Sequence, residues 1–236
     1  MLSSLVIAAG KFSGTCRDRK ANAFNTGLLF TSTTLATDTT VAADVYTSSD
    51  LGISFALNVP TDSNDLYFSL TGPGDGSWLA IGWGSDKMAN ALMMIAYPTS
   101  NGSYVTVSPR LGTGHTEPTV VSNVTVQLLA GSGVQTNATN NTLTVNARCI
   151  NCRSWNGGSI DVTSKAQNMI FAYGPWVGNP DSVNADLRMH STDGVFTMDM
   201  TKASGPRGVP EITAADVGAT EISIKSTDDI ASPVHG

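Results

Sequence analysis

Along the chain the apolar positions fall in short runs separated by turn formers, and no stretch keeps the roughly 3.6-residue period of a long helix. The runs predict strands over 28–34, 52–59, 65–71, 77–83, 91–97, 103–108, 119–129, 142–149, 159–162, 169–173, 183–189 and 195–200. Between them lie Thr61-Asp62-Ser63-Asn64, Gly72-Pro73-Gly74-Asp75-Gly76, Ser100-Asn101-Gly102 and Gly178-Asn179-Pro180-Asp181. Regular short strands of this kind predict an all-β chain, an antiparallel β-sandwich of two sheets with an immunoglobulin-like layout. Residues 91–96 are apolar at both parities, which predicts a central strand covered on both faces. Phe55, Leu57 and Val59 alternate with Ser54, Ala56 and Asn58, which predicts a strand with one wetter face.

The pattern places Met88 where chemistry becomes possible. Two apolar runs, 78–83 and 91–97, flank the polar turn Gly84-Ser85-Asp86-Lys87, and Met88 ends that turn at the lip of a buried strand pair. A methionine there has two readings: a flexible gap-filler, as in most cores, or a ligand. His190 lies just before an Asp-Gly turn, and a thioether with an imidazole makes a haem-iron ligand set. Met93 and Met94 are the nearest alternatives to Met88.

Composition narrows the class. The chain has 236 residues, 41% apolar and 14% charged, which fits one large β domain, read as 26–201. Residues 1–25 read as a leader, with 2–10 like a partial signal peptide, and 202–236 as a linker or tail with one apolar alternation at 221–224. A net charge of −6 argues against nucleic acid as a partner. No run approaches the roughly 20 apolar residues of a membrane span. The G-x-S-x-G, H-E-x-x-H and P-loop signatures are missing. Four Asn-x-Ser/Thr sequons, at Asn101, Asn123, Asn137 and Asn140, favour secretion and glycosylation. Of the 3 cysteines, Cys149 and Cys152 are spaced C-x-x-C and Cys16 stands apart. A c-type haem would need a histidine directly after the second cysteine, where Arg153 stands, so any haem is held non-covalently.

Four segments then occur in order: GWGSDKMANALMMIAYP at 82–98, SPRLGTGHTEP at 108–118, RCINCRSW at 148–155 and ADLRMHSTDG at 185–194. Over about Leu28 to Met200 they resemble the haem b cytochrome domain of fungal cellobiose dehydrogenase and its stand-alone iron-reductase relatives. The resemblance implies a DOMON-type β-sandwich with haem b at one end, bound between Met88 and His190. It also implies a disulfide between Cys149 and Cys152, and a secreted, extracellular protein. Its implied function is one-electron transfer, from a flavin dehydrogenase or another reductant to ferric iron, a quinone or a copper polysaccharide monooxygenase. In relatives a tail such as 202–236 leads to a flavin dehydrogenase, a cellulose-binding module or a transmembrane cytochrome. The chain departs from the family at His115, where relatives carry a tyrosine near a haem propionate. His115 is therefore a rival ligand, a propionate contact or a plain loop residue. Arg110 is either a bidentate propionate partner or a strand-end charge. The rival class is a carbohydrate-binding or adhesive sandwich without haem, its tryptophans stacked on sugars and Met88 and His190 simply packed.

Overall fold

Strands form where the sequence alternates and stop where turn formers cluster. The computed structural model describes residues 41–75, 77–136 and 140–217. In chain order these carry β1 (Asp44–Ser48), β2 (Ile53–Pro60), β3 (Leu66–Pro73), β4 (Trp78–Trp83), β5 (Leu92–Pro98), β6 (Val105–Leu111), β7 (Thr119–Val120) and β8 (Thr125–Leu128). There follow β9 (Gly133–Thr136), β10 (Asn141–Ile150), β11 (Ser154–Trp155), β12 (Gly158–Ser159), β13 (Gln167–Gly174) and β14 (Thr192–Met198). Last come α1 (Met200–Ala203), β15 (Ser204–Gly205) and α2 (Ala214–Val217). The strand expected at 28–34, Cys16, Asn137, the leader at 1–25 and the alternation at 221–224 lie outside the described residues.

Two sheets make the sandwich. One runs β1-β2-β3-β10-β8, with β9 also on β10 and β15 on β2; the other runs β14-β13-β4-β5-β6-β7. The pairings are antiparallel except that of β15 with β2. Inward side chains of both sheets, including Phe55, Phe68, Trp83, Phe171 and Phe196, fill the space between them. Tyr46 of β1 stacks on Phe196 of β14 at 3.9 Å between ring centroids and ties the sheet edges together.

The expected central strand is β5. Its Leu92, Met94 and Ala96 enter the inter-sheet core, while Met93, Ile95 and Tyr97 enter a second apolar cluster on the outer face. Every residue of β5 is buried, because the sheet is covered on both sides.

Four expectations change. The run 119–129 splits into β7 and β8 around a turn at 122–123, and 159–162 contributes only the last residue of β12. The segment 183–189 forms no strand; it makes a single bridge, Leu187 to Val177, because its backbone bonds to side chains of the sheet beneath it. The wetter face expected for β2 is dry, since Ala56 and Asn58 are both fully buried. The Asn58 amide explains this. Its Nδ2 donates to the carbonyls of Ala42 at 2.8 Å, Pro206 at 3.1 Å and Ala203 at 3.4 Å, and its Oδ1 accepts from Gly208 N at 3.3 Å. The start of the expected tail is thereby fastened across β2.

At the same end of the sheet, just before β3, Asp65 is 6% exposed and its carboxylate takes Arg148 at 2.8 Å and Asn151 N at 2.9 Å. Burial works against its charge, yet the Asn151 N–H and the Arg148 guanidinium together hold the carboxyl below its ordinary 3.8.

Two predictions test these anchors. Asn58→Ala strands four backbone groups and is expected to cost about 2–3 kcal/mol in urea unfolding; a loss below about 0.5 kcal/mol would show that water replaces the amide. For Asp65 the native state binds its proton less readily than the unfolded chain. Its contribution is therefore complete above 3.8 and lost as the pH falls through the lower folded value. Stability measured across acid pH should fall less steeply in Asp65→Asn than in the parent, and parallel curves would contradict the pairing.

Candidate functional site

The outer face of the six-stranded sheet is apolar because alternation on three strands exports the same kind of residue. Trp78, Ala80, Met93, Ile95 and Tyr97 form its buried part, with Ile170 and Ala172 of β13 partly buried beside them. The cover is an excursion of the chain, 175–191, between β13 and β14. It lacks a strand ladder of its own. Tyr97 OH donates to Ser182 O at 2.7 Å, Thr106 Oγ1 to Pro180 O at 2.6 Å and Ser108 Oγ to Val183 O at 2.6 Å. Trp78 Nε1 donates to Arg188 O at 3.1 Å and holds the returning limb.

Arg110 anchors the middle of this cover. Its side chain is 3% exposed; Nε donates to Ser108 Oγ at 2.9 Å, Nη1 to Glu117 Oε1 at 2.7 Å and to Pro118 O, and Nη2 to Ala185 O. Glu117 Oε1 also accepts from Leu187 N at 3.1 Å. Four of the five guanidinium N–H groups thus have partners among the described residues. Arg110 is no ordinary strand-end charge: it is a buried cation paired with Glu117 and bound to the excursion.

Met88 sits in the turn between β4 and β5. Gly84 and Asn90 bend that turn with φ of +87° and +67°. Ser85 Oγ accepts from Lys87 N and donates to Ala89 O, both at 3.1 Å. Asn90 N donates to Gly112 O at 2.8 Å, Gly112 N to Ala91 O at 3.0 Å and Ala91 N to Met88 O at 3.2 Å. A Cβ on Gly112 would stand 1.7 Å from the Met88 carbonyl oxygen, so only glycine lets the turn lie against β6. The half-buried Met88 side chain packs on the outer cluster. Met93 shares that cluster, whereas Met94 points into the inter-sheet core.

His190 closes the excursion, and Ser191 N then donates to Tyr173 O at 2.9 Å. Its Nδ1 lies 3.2 Å from Asp193 Oδ1. A carboxylate there favours the proton on Nδ1 and leaves the Nε2 lone pair as the ligating position. Asp193 pairs with Ala172, next to Gly194, which faces Phe171 of the inter-sheet core; alternation therefore puts Asp193 on the outer face. Met88 and His190 thus serve the same face of one sheet. They do not come from the same end of the sandwich. His190 precedes Thr192, which pairs through Tyr173 to the Leu79 level, while Met88 follows Trp83, roughly 13 Å further along β4. The excursion explains this difference, because it carries the chain back to the far end of the sheet before β14 begins.

His115 is exposed in the 112–118 loop, beside a hydroxyl contact of 3.1 Å between Thr113 and Thr116. The cysteines expected to pair do so, Cys149 with Cys152. Asn101, Asn123 and Asn140 are exposed. Sequence reasoning passed over Asp193 and Glu117, although each has a signal: an acid three residues after a candidate ligand, and an acid seven residues after a buried arginine.

The face suits a flat apolar group. Ala80 and Gly82 keep the strand surface low, while Met88, Ile170, Ala172 and Leu187 are only partly buried around it. Met88 packs against that face, and His190 is paired with Asp193, which alternation puts on the same side of the sheet. Among the described residues no three His, Cys, Asp or Glu side chains gather as a site for a bare metal ion.

Among solved structures the chain is similar to the cytochrome b domain of pyranose dehydrogenase from Coprinopsis cinerea, at 23% identity and a TM-score of 0.60. That match covers 68% of this chain and 83% of the other. It is similar also to the cytochrome domain of Myriococcum thermophilum cellobiose dehydrogenase, at 19% identity and a TM-score of 0.58, covering 70% and 92%. Residues 24–207, which span both sheets and every described residue of the outer face, match the family described as the cytochrome domain of cellobiose dehydrogenase, and the chain belongs to that family.

Proposed function

We propose that the chain is a secreted b-type cytochrome domain that passes single electrons between a flavin enzyme or another reductant and an acceptor such as ferric iron, a quinone or a copper polysaccharide monooxygenase. The observation that carries this reading is that Met88 and the Asp193-held His190 serve one incompletely covered apolar face. Bound there, haem b would supply a one-electron iron couple, and with Met88 and His190 as its protein ligands electrons would pass without substrate binding to the iron. Met88 and His190 would hold the iron. Asp193 would keep the imidazole in its ligating tautomer, and the partly buried Ile170, Ala172 and Leu187 would exclude water from the macrocycle. Arg110, with four of its N–H groups engaged, acts mainly by fixing the excursion that ends in His190. The carbohydrate-binding alternative has little to work with. Of the 4 tryptophans, Trp78 and Trp83 are buried, Trp155 is half-buried, and Trp176 is 43% exposed with Arg188 over its ring.

The ligand set is tested with purified, haem-loaded variants. Met88→His should keep a low-spin spectrum at a lower potential, because the thioether favours ferrous iron more than an imidazole does. His190→Ala should lose haem, and Asp193→Ala should weaken haem affinity by roughly 10–100-fold. His115→Ala should leave the Soret band in place. Loss of low-spin haem in His115→Ala with retention in His190→Ala would reverse the assignment.

Secretion is read from the disulfide and the exposed sequons together. Mass spectrometry of the fungal product after glycosidase treatment should find Cys149 bridged to Cys152 and glycan scars among Asn101, Asn123, Asn137 and Asn140. Two free thiols at 149 and 152 would refute this.

A further inference from the structure

The motif RCINCRSW ends on a tryptophan, Trp155, that the site described above does not use. Trp155 ends β11 in the small hairpin of β11 and β12, whose turn is Asn156 and Gly157, the latter at φ +120°. That hairpin is fastened to the first sheet. Arg153 N donates to Asn64 O at 3.1 Å, Arg153 Nη1 to Ser63 O at 2.9 Å and Ile160 N to Arg153 O at 2.9 Å, while the Cys149–Cys152 bridge closes the turn before it.

From this base the indole reaches the Met88 turn at both of its ends. A Cβ on Gly84 would stand 2.4 Å from two carbons of the Trp155 ring, so the ring lies directly on the residue that opens the turn. Its Nε1 donates to Asn90 O at 2.9 Å, on the residue that closes it. A Cβ on Gly157 would meet the Asn90 side chain at 3.3 Å, so the hairpin tip packs there as well. Gly84 and Asn90 are the two positive-φ residues of the turn, the points at which its path is set. On the other side the turn lies against Gly112.

We propose that Trp155 is a positioning residue for Met88: seated on the disulfide-closed hairpin, it clamps the opening and closing residues of the ligand turn and holds the thioether at its working place. The proposal rests on the reading that Met88 is an iron ligand. Loosening the turn does not remove the thioether, but it raises the population in which Met88 is displaced and a competing ligand can enter. Losing one hydrogen bond and the ring contact should change that population by about tenfold.

The test uses the full chain in haem-free and haem-loaded forms, with Trp155→Ala, Trp155→Phe, Met88→Ala and, as an exposed control, Tyr104→Ala. In the haem-free protein, Trp155→Ala should speed amide exchange at Asn90 and Gly112 by about tenfold, with amides of β13 unchanged. In the loaded protein it should weaken the thioether-to-ferric charge-transfer band, shift the potential toward that of Met88→Ala, and tighten added imidazole by about tenfold. Trp155→Phe keeps a ring on Gly84 without the hydrogen bond and should fall between parent and Trp155→Ala, which decides the matter even where the alanine variant does not fold. Tyr104→Ala should match the parent. Parental exchange and imidazole affinity in both Trp155 variants, beside a lost band in Met88→Ala, would overturn the proposal and leave the ligand reading standing. An unchanged band in Met88→Ala would instead overturn the ligand reading, whatever the exchange rates at Asn90.

Discussion

The structure depends on one constraint: the six-stranded sheet must be covered on both faces. Its inward face is satisfied by ordinary sandwich packing against the other sheet. Its outward face carries Trp78, Met93, Ile95 and Tyr97, too much apolar surface to leave in water, and no third sheet lies over it among the described residues. The chain meets the need with the 175–191 excursion, and the excursion is held by a buried cation. Arg110 lies beneath it with Glu117 as its counter-charge, and a buried guanidinium that lost its partner would cost on the order of 3–5 kcal/mol. Cover, ion pair and loop carbonyls therefore stand or fall together. The candidate site occupies what this cover leaves incomplete.

Much of this was legible in the alternation of residues. The double burial of β5 follows from apolar residues at both parities, and β2, β3, β4, β10 and β13 begin and end within two residues or so of the expected limits. The cysteine pair was legible through the four ordered segments, which also single out Met88 and His190 as candidates, since local motifs carry their context with them. What could not be read shares one physical cause: the groups that decide it are far apart in sequence. The excursion looked like a strand at 183–189 because its partners are side chains of β5 and β6, some 75 residues earlier at Ser108 and Val183, instead of a neighbouring strand. Asn58 looked like the wet side of a strand because its acceptors at Ala203 and Pro206 lie beyond the point where the composition turns tail-like. The expectation that both candidate ligands leave from one end failed for the same reason: the fold-back that separates them is written in no local pattern.

Gly84 and Gly112 look like ordinary turn glycines in the sequence, yet each marks a place where another part of the chain lies against the Met88 turn, an indole in one case and a neighbouring strand in the other. The turn is thus defined more by what touches it than by its own residues. The β4–β5 connection is precise where its polar sequence alone would leave it loose.

The cover held by side chains has a further consequence for how the molecule comes apart. Because 175–191 contributes one isolated bridge and is held mainly by side chains, among them Tyr97, Thr106, Ser108, Arg110, Glu117 and Trp78, lifting it breaks no strand ladder and leaves the aromatic interior between the sheets intact. The protein therefore has two distinct opening reactions, a local one confined to the outer face and a global one that separates the sheets, with separate free energies. Uncovering the outer face does not require separating the sheets.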